Sequence, residues 1–309
     1  YSQITIEKQR ELIKDDELQG MFSNGVPIWN QLLGWDCLGN CDYECQRIVT
    51  NDRVHRGLEV YQFHGKWPFI RVWGVQELFS TIFSVGNFIP NYMGFKLIKK
   101  HWIKERDAEY KTLYFSYIIV SVVAMCAWTF SSIFHLKDTW NRERLDYFFA
   151  GMTVLSGFHS IVIRYFHLFK SPSKTRLFSL TCVLLYLCHV MRLLWDWSYS
   201  YNMEVNVIFG IIQYILWVTL SIQQFNNLSN PKKHLMDNVK DRDVNWSLIP
   251  CGLVACVIFG MSFELFDFSP VGDLVDAHAM WHFVTIWPTI FWYPFMVKDV
   301  EYLKSVKNE

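Results

Sequence analysis

The sequence predicts an all-α integral membrane protein, a bundle of seven transmembrane helices preceded by a small N-terminal lumenal domain that contains cysteines. Three observations predict it. Of 309 residues 51% are hydrophobic, with 14 Trp, 15 Tyr and 25 Phe among them, a composition far more apolar and aromatic than that of a soluble domain. From Trp67 onward, apolar runs close to the roughly 20 residues that span hydrocarbon follow one another with short polar connections between them. Connections rich and poor in Lys and Arg alternate along the chain, as an orientation signal requires. The formal net charge is zero, so nothing in the composition attracts nucleic acid, and membrane lipids are the expected surroundings.

Residues 1–66 contain no run long enough to cross a bilayer and read as the lumenal domain. The chain begins at Tyr1 rather than Met, which suggests the loss of an upstream segment such as a secretory signal peptide. Cys37, Cys41 and Cys45 stand four apart and on a helix share one face. A zinc reading of this cluster needs a fourth ligand such as His55 or His64. In an oxidising lumen the simpler reading is disulfides to cysteines in the preceding segment, and this is the one adopted.

Residues 67–300 read as the membrane domain, with runs at about 68–90, 112–134, 147–168, 177–195, 203–223, 247–266 and 277–297. The first and last are the most interrupted. In the first, Trp73, Glu77, Ser80, Ser84 and Asn87 recur at spacings of three and four and draw a polar stripe facing the bundle or a cavity. Residues 301–309 form a short tail.

Cations set the orientation. Lys96, Lys99, Lys100, Lys104, Arg106 and Lys111 crowd the first connection, Lys170, Lys174 and Arg176 the third, Lys232, Lys233, Lys240 and Arg242 the fifth, and Lys298, Lys304 and Lys307 the tail. The alternate connections hold only Lys137, Arg142 and Arg144. The N-terminus is therefore expected in the lumen and the C-terminus in the cytosol. On this topology the Asn-x-Ser matches at Asn227 and Asn245 are cytosolic and carry no sugar.

The residues that suggest chemistry gather at the lumenal ends. His135 closes the second run, Asp146 opens the third, and His278 and His282 open the seventh. Ser131 precedes His135 by four and His278 precedes His282 by four, so each pair shares a helix face. Three imidazoles from two helices make the ligand set of a catalytic zinc site, which lowers the pKa of its water to roughly 7. Taken singly, each residue has a plainer explanation: an interfacial His, a small-residue helix contact at Ser131, a dipole-favoured acid at Asp146. Position 279 is Ala rather than the Glu of metalloprotease helices, so a base comes from elsewhere. Asp146 is the first candidate, with Glu77, Glu264, Asp267, Asp273 and Asp276 as alternatives. His159, His167 and His189 read as structural, and His189, Arg192 and Asp196 as a polar stripe on the fourth run.

The set Ser131-x3-His135, Asp146 and His278-x3-His282 resembles the CREST superfamily of seven-helix membrane hydrolases and receptors. YQFHGKWPF (61–69), QELFSTIFSVGNFIP (76–90), LDYFFAGMTVLSGFH (145–159), SFELFDF (262–268) and DAHAMWHFVTIWP (276–288) are similar to its post-GPI-attachment lipid-remodelling branch. That resemblance implies a zinc-dependent phospholipase A2 of the endoplasmic reticulum, or alternatively the Golgi. It would remove the sn-2 acyl chain of glycosylphosphatidylinositol (GPI) lipids, with GPI-anchored proteins as the lipid substrate. His135, His278 and His282 would hold the zinc, Asp146 would act as base, and Ser131 would either hold the water or donate to the oxyanion. Three other readings stand beside it: a ceramidase-like amidase with the same site, a non-enzymatic receptor or chaperone for GPI-anchored proteins, and a seven-helix transporter with no metal, which gives no reason for the paired His spacing.

Overall fold

The computed structural model describes residues 26–229 and 244–308, and it is helical throughout with no strand among the described residues. The expectations for residues 1–25 and for Lys232, Lys233, Lys240 and Arg242 lie outside the described residues. Two helices come first, α1 (Ile28–Leu32) and α2 (Cys37–His55). Seven longer or more apolar ones follow: α3 (Leu78–Lys104), α4 (Ala108–Leu136), α5 (Trp140–Tyr165), α6 (Pro172–Trp195), α7 (Tyr199–Leu228), α8 (Ile249–Leu265) and α9 (Ala277–Asn308).

Successive helices run antiparallel and close a ring in the order α3, α4, α5, α7, α8, α9 and back to α3, with α6 outside against α5. Short polar connections leave few other packings for apolar helices of this length. The outward faces carry the apolar residues that lipid would solvate: Leu177, Leu180, Leu184, Leu187 and Met191 of α6 are all exposed. Small residues set the close contacts. A Cβ at Gly94 of α3 would fall 2.1 Å from the ring of Tyr293 on α9, and one at Gly86 would fall 2.7 Å from Ile286. Glycine at these points lets α3 and α9 touch, which brings the polar stripe of one against the histidines of the other.

By length and composition, five helices among the described residues can cross a membrane: α4, α5, α6, α7 and the stretch Asn245–Leu265 that includes α8. Seven were expected from the sequence. The two that fall short are α3 and α9, the most interrupted runs. Their apolar character is diluted by polar groups buried within α3 (Ser80, Ser84, Asn87 and Asn91) and by Pro288 and Pro294 within α9. The first run is also displaced, because residues 68–77 form a loop with a Val72–Val75 bridge and α3 begins only at Leu78. Trp73 therefore leaves the expected stripe, sits at φ 51 in a tight turn and is 71% exposed. At the other end α9 continues without a break through the residues expected to form a tail.

The two ends of the bundle differ. The apolar core lies towards the end holding the C-terminus of α3 and the N-terminus of α4, built from Ile98, Leu113, Tyr117, Ile161, Leu220 and Phe295. There Arg164 of α5 pairs with Asp299 of α9 at 2.5 and 2.7 Å, and Gln224 of α7 also donates to Asp299. All three are buried, so one network ties three helices. The Lys-rich segments lie at this end, on α3 and α9 as much as between helices. The opposite end is ringed by exposed aromatic residues, Trp73, Trp140, Trp195 and Phe266, the pattern of a membrane interface. On it sits a cap made of α1, α2 and the loop to α3. Arg47 fastens the cap to the α8–α9 connection through Asp273 (2.7 Å), and Gln62 and Trp67 both donate to Asp267 (2.8 and 2.9 Å).

Candidate metal centre under the cap

His135 lies in the last turn of α4, and His278 and His282 in the first two turns of α9. A ring nitrogen from each comes within 4.8 Å of the other two, and among the described residues this is where His, Cys, Asp or Glu side chains converge as metal ligands. The ring centroids are 4.5 to 5.2 Å apart.

What surrounds the rings decides which nitrogens face inward. His135 Nδ1 bonds Glu77 Oε2 at 2.7 Å, His278 Nδ1 bonds Glu264 Oε2 at 2.9 Å, and His282 Nδ1 meets Ser84 Oγ at 3.0 Å and the Ser80 carbonyl at 3.3 Å. A donating Nδ1–H fixes the tautomer and leaves the Nε2 lone pair free, the arrangement in which histidines ligate metals. His135 Nε2 is buried with no hydrogen-bond partner. A buried acceptor of that kind costs about 1–3 kcal/mol unless something fills the space. Three imidazoles that each offer a ring nitrogen within 4.8 Å of the other two make a donor set that fits a divalent metal ion.

Ser131 is buried one turn below His135, and its hydroxyl lies 3.0 Å from Ser84 Oγ. Ser84 gives its own proton to the Ser80 carbonyl at 2.7 Å, so it accepts from both Ser131 and His282. Ser131 thereby holds His282 through Ser84. Asn87 adds a bond from its Nδ2 to the His282 carbonyl at 2.7 Å.

Asp146 lies within Coulombic reach of His135 and His278 and has no hydrogen-bond partner among the described residues. It is not the opening residue of its helix. α5 begins at Trp140, the turn is confined to 137–139, and Asp146 stands in the second helical turn, beyond the first-turn dipole that the plainer explanation required. The alternative carboxylates are all engaged: Glu77 and Glu264 by histidines, Asp276 by the Ala279 N–H (2.8 Å), Asp273 by Arg47 and Asp267 by Gln62 and Trp67.

The cap reaches this centre through Lys66. Its ammonium lies 3.2 Å from Glu77 Oε1 and 2.8 Å from Asp138, and 3.9 Å above the Phe134 ring. Burial works against the charge, but Glu77 and Asp138 outweigh it and hold the Lys66 pKa above its ordinary value. The sequence reading had no role for Lys66, and no periodicity could assign one, because it arrives from an irregular loop. Ser84 was visible only as a member of a polar stripe, Glu77 as a member of that stripe and a spare base, and Glu264 only as a spare base.

The profile of the Per1-like family matches residues 27–300. The chain belongs to the Per1-like family. Within it, Protein PER1 of Saccharomyces cerevisiae is 44% identical over 291 residues, covering 91% of this chain and 82% of that protein. The PER1 homolog of Schizosaccharomyces pombe is 37% identical over 90% of this chain and 79% of its own length. The GPI-specific phospholipase A2-like PGAP3 of Xenopus laevis is 33% identical over 93% and 84%. The Per1-like match takes in the cap, the three histidines, Ser131 and Asp146 together, so the resemblance read from the motifs holds at family level.

The other candidates fall elsewhere. Cys37, Cys41 and Cys45 lie exposed along α2 as free thiols, with neither His55 nor His64 joining them in a ligand group among the described residues. His159 bonds Ser179 at 2.8 Å and stacks on Phe178. His189 contacts Tyr201 and Asn202, and Arg192 pairs with Asp196 at 2.9 Å.

Proposed function

We propose that this Per1-like protein is a GPI-specific phospholipase A2, a zinc-dependent membrane hydrolase that removes the sn-2 acyl chain from the lipid of GPI-anchored proteins. The observation that carries the reading is the set of three imidazoles with a ring nitrogen from each within 4.8 Å of the other two and every Nδ1 hydrogen-bonded, in a chain whose relatives include proteins named as GPI-specific phospholipase A2-like. All seven long helices are taken to cross the membrane of the endoplasmic reticulum, or alternatively the Golgi. The cap and histidines then face the lumen and the Lys-rich end faces the cytosol, in keeping with the cation count. The exposed cysteines of α2 suit disulfides in that compartment.

Zinc at the three Nε2 atoms would supply Lewis acidity, activating a water and polarising the ester carbonyl. Glu77, Glu264 and Ser84 hold the three rings in the tautomer that ligation needs. Asp146, the one nearby carboxylate free of other duties, takes the proton of the attacking water and returns it to the glycerol oxygen as the ester C–O bond breaks. The products are a fatty acid and a lyso-GPI. Ser131 positions His282 through Ser84. A cavity of about 260 Å³ between α5, α6 and α7, walled by Val154, Leu155, Leu185, Val205 and Phe209, suits an acyl chain. The mass spectrum of GPI lipids from cells with and without the protein tests the reading: an unchanged sn-2 chain would remove it.

A further inference from the structure

The cap contains a polar cavity of about 190 Å³ whose floor is the roof of the metal centre. Lys66, Gln76 and Asp138 form that floor. Gln76 adjoins Glu77 in the chain and accepts from the Asp138 N–H at 2.8 Å, while Lys66 bonds both Asp138 and Glu77. The walls mix aromatic rings with charges of both signs: Trp67 and Phe63, Asp42 and His64, and Arg71 behind them. His64 and Gly65 both have positive φ (52° and 78°) in a tight hairpin closed by Phe63 and Lys66 at 2.7 and 2.9 Å. Holding a non-glycine residue in the left-handed region is strain of the kind found at functional sites, and here the turn presents His64 and Lys66 together. Arg71 is clamped between Trp35 and Tyr43, its carbon centre 3.4 and 4.2 Å from the rings. It makes no ion pair among the described residues, and its Nε and Nη1 are buried without partners. Burial pulls its pKa down to about 10, which leaves it cationic at neutral pH.

From this placement we infer that the cap cavity binds the phosphorylated polyol headgroup of the lipid whose ester is cut below, an inference that rests on the proposed phospholipase activity. The chemistry matches on each count. In a glycerophospholipid the sn-2 ester and the phosphate sit on neighbouring glycerol carbons, so a headgroup must emerge directly above the ester, where this cavity lies. Lys66 and Arg71 supply positive charge for a phosphate, His64 offers a ring N–H, Asp42 and Gln46 accept from and donate to hydroxyls, and Trp67 and Phe63 offer rings for the apolar face of a sugar or inositol. The volume is smaller than the roughly 300 Å³ of a drug-sized pocket, enough for one ring with its phosphate rather than a long glycan. An all-cationic site would fit any phosphate. The interleaved carboxylates argue for a hydroxylated ligand.

The test uses the full protein in detergent micelles and a probe without acyl chains, the deacylated GPI headgroup, with glycerophosphocholine and inorganic phosphate beside it. Asp42 and His64 are replaced together (Asp42→Ala, His64→Ala); their side chains are 50% and 80% exposed, so folding does not depend on them. The expected result is binding of the deacylated headgroup by the wild type, at least tenfold tighter than either comparison compound, and about tenfold weaker binding by the double variant, as for one or two lost hydrogen bonds. With GPI lipid as substrate, KM rises by a similar factor and kcat holds. Equal headgroup affinity in wild type and variant overturns the inference, and so does inorganic phosphate binding as tightly as the headgroup. If the wild type releases no fatty acid from GPI lipid, the phospholipase reading fails separately, and the headgroup titration still decides the cavity.

Discussion

Glu77 carries more of the site than its position at the start of α3 suggests, and replacing it with Gln isolates its charge from its shape. One carboxylate oxygen takes the His135 Nδ1–H at 2.7 Å and the other faces Lys66 at 3.2 Å; the residue is 5% exposed. Gln keeps the volume and one acceptor but loses the charge, so the His135 bond falls from a charge-assisted to a neutral one. Such bonds differ by roughly 1–1.5 kcal/mol, and partners of ligating histidines are worth about 10–100-fold in metal affinity or activity. Lys66 keeps Asp138 at 2.8 Å, so the charge left behind is not stranded and the protein should fold. The assay is zinc content by mass spectrometry at buffered free zinc, run beside fatty acid release from GPI lipid. A rightward shift of zinc loading by about tenfold or more is expected, and Lys66→Met added to Glu77→Gln should recover part of it because the two residues are directly coupled. Full zinc affinity and full activity in Glu77→Gln would refute the assignment of Nδ1 as the engaged nitrogen of His135.

Asp146→Asn is expected to retain zinc and lose activity by about 100-fold or more, as for removal of a general base; loss of zinc in that variant would make Asp146 a ligand. Ser131→Ala and Ser84→Ala should each lower zinc affinity, Ser84 more, since it touches His282 directly at 3.0 Å; the reverse order would mean that Ser131 acts on substrate. Arg164→Met alone strands Asp299 in a buried site and should destabilise the fold by about 3–5 kcal/mol, measured as a lowered melting temperature in detergent, with Arg164→Met and Asp299→Leu together recovering most of it. Asn227 and Asn245 are expected to remain unglycosylated in cells; sugar on either would place the Lys-rich end in the lumen.

Much of the site was legible because helical spacing is rigid. Ser131 with His135 and His278 with His282 share faces at four-residue intervals, and the cation count set both pairs at one end before any coordinates. The buried run Glu77, Ser80, Ser84 and Asn87 was legible for the same reason. Three things were not. The start of α5 was read six or seven residues late, because Trp140 to Arg144 is too polar for an apolar window yet perfectly helical once Thr139 ends the turn. The first run was begun ten residues early, because the apolar cap loop around Pro68 and Val72 merges with α3 in hydropathy. The contribution of Lys66 follows from how an irregular loop folds back over the bundle, and no periodic signal records that.

The most direct measurement is fatty acid release from a GPI lipid of defined sn-1 and sn-2 chains by the purified protein, before zinc removal, after verified removal, and after zinc is restored. The expected result is release of the sn-2 acid alone, its loss with the metal and its return with zinc. Release that persists in metal-free protein, or release of no sn-2 acid from fully loaded protein, would contradict a zinc-dependent phospholipase A2 built on His135, His278 and His282.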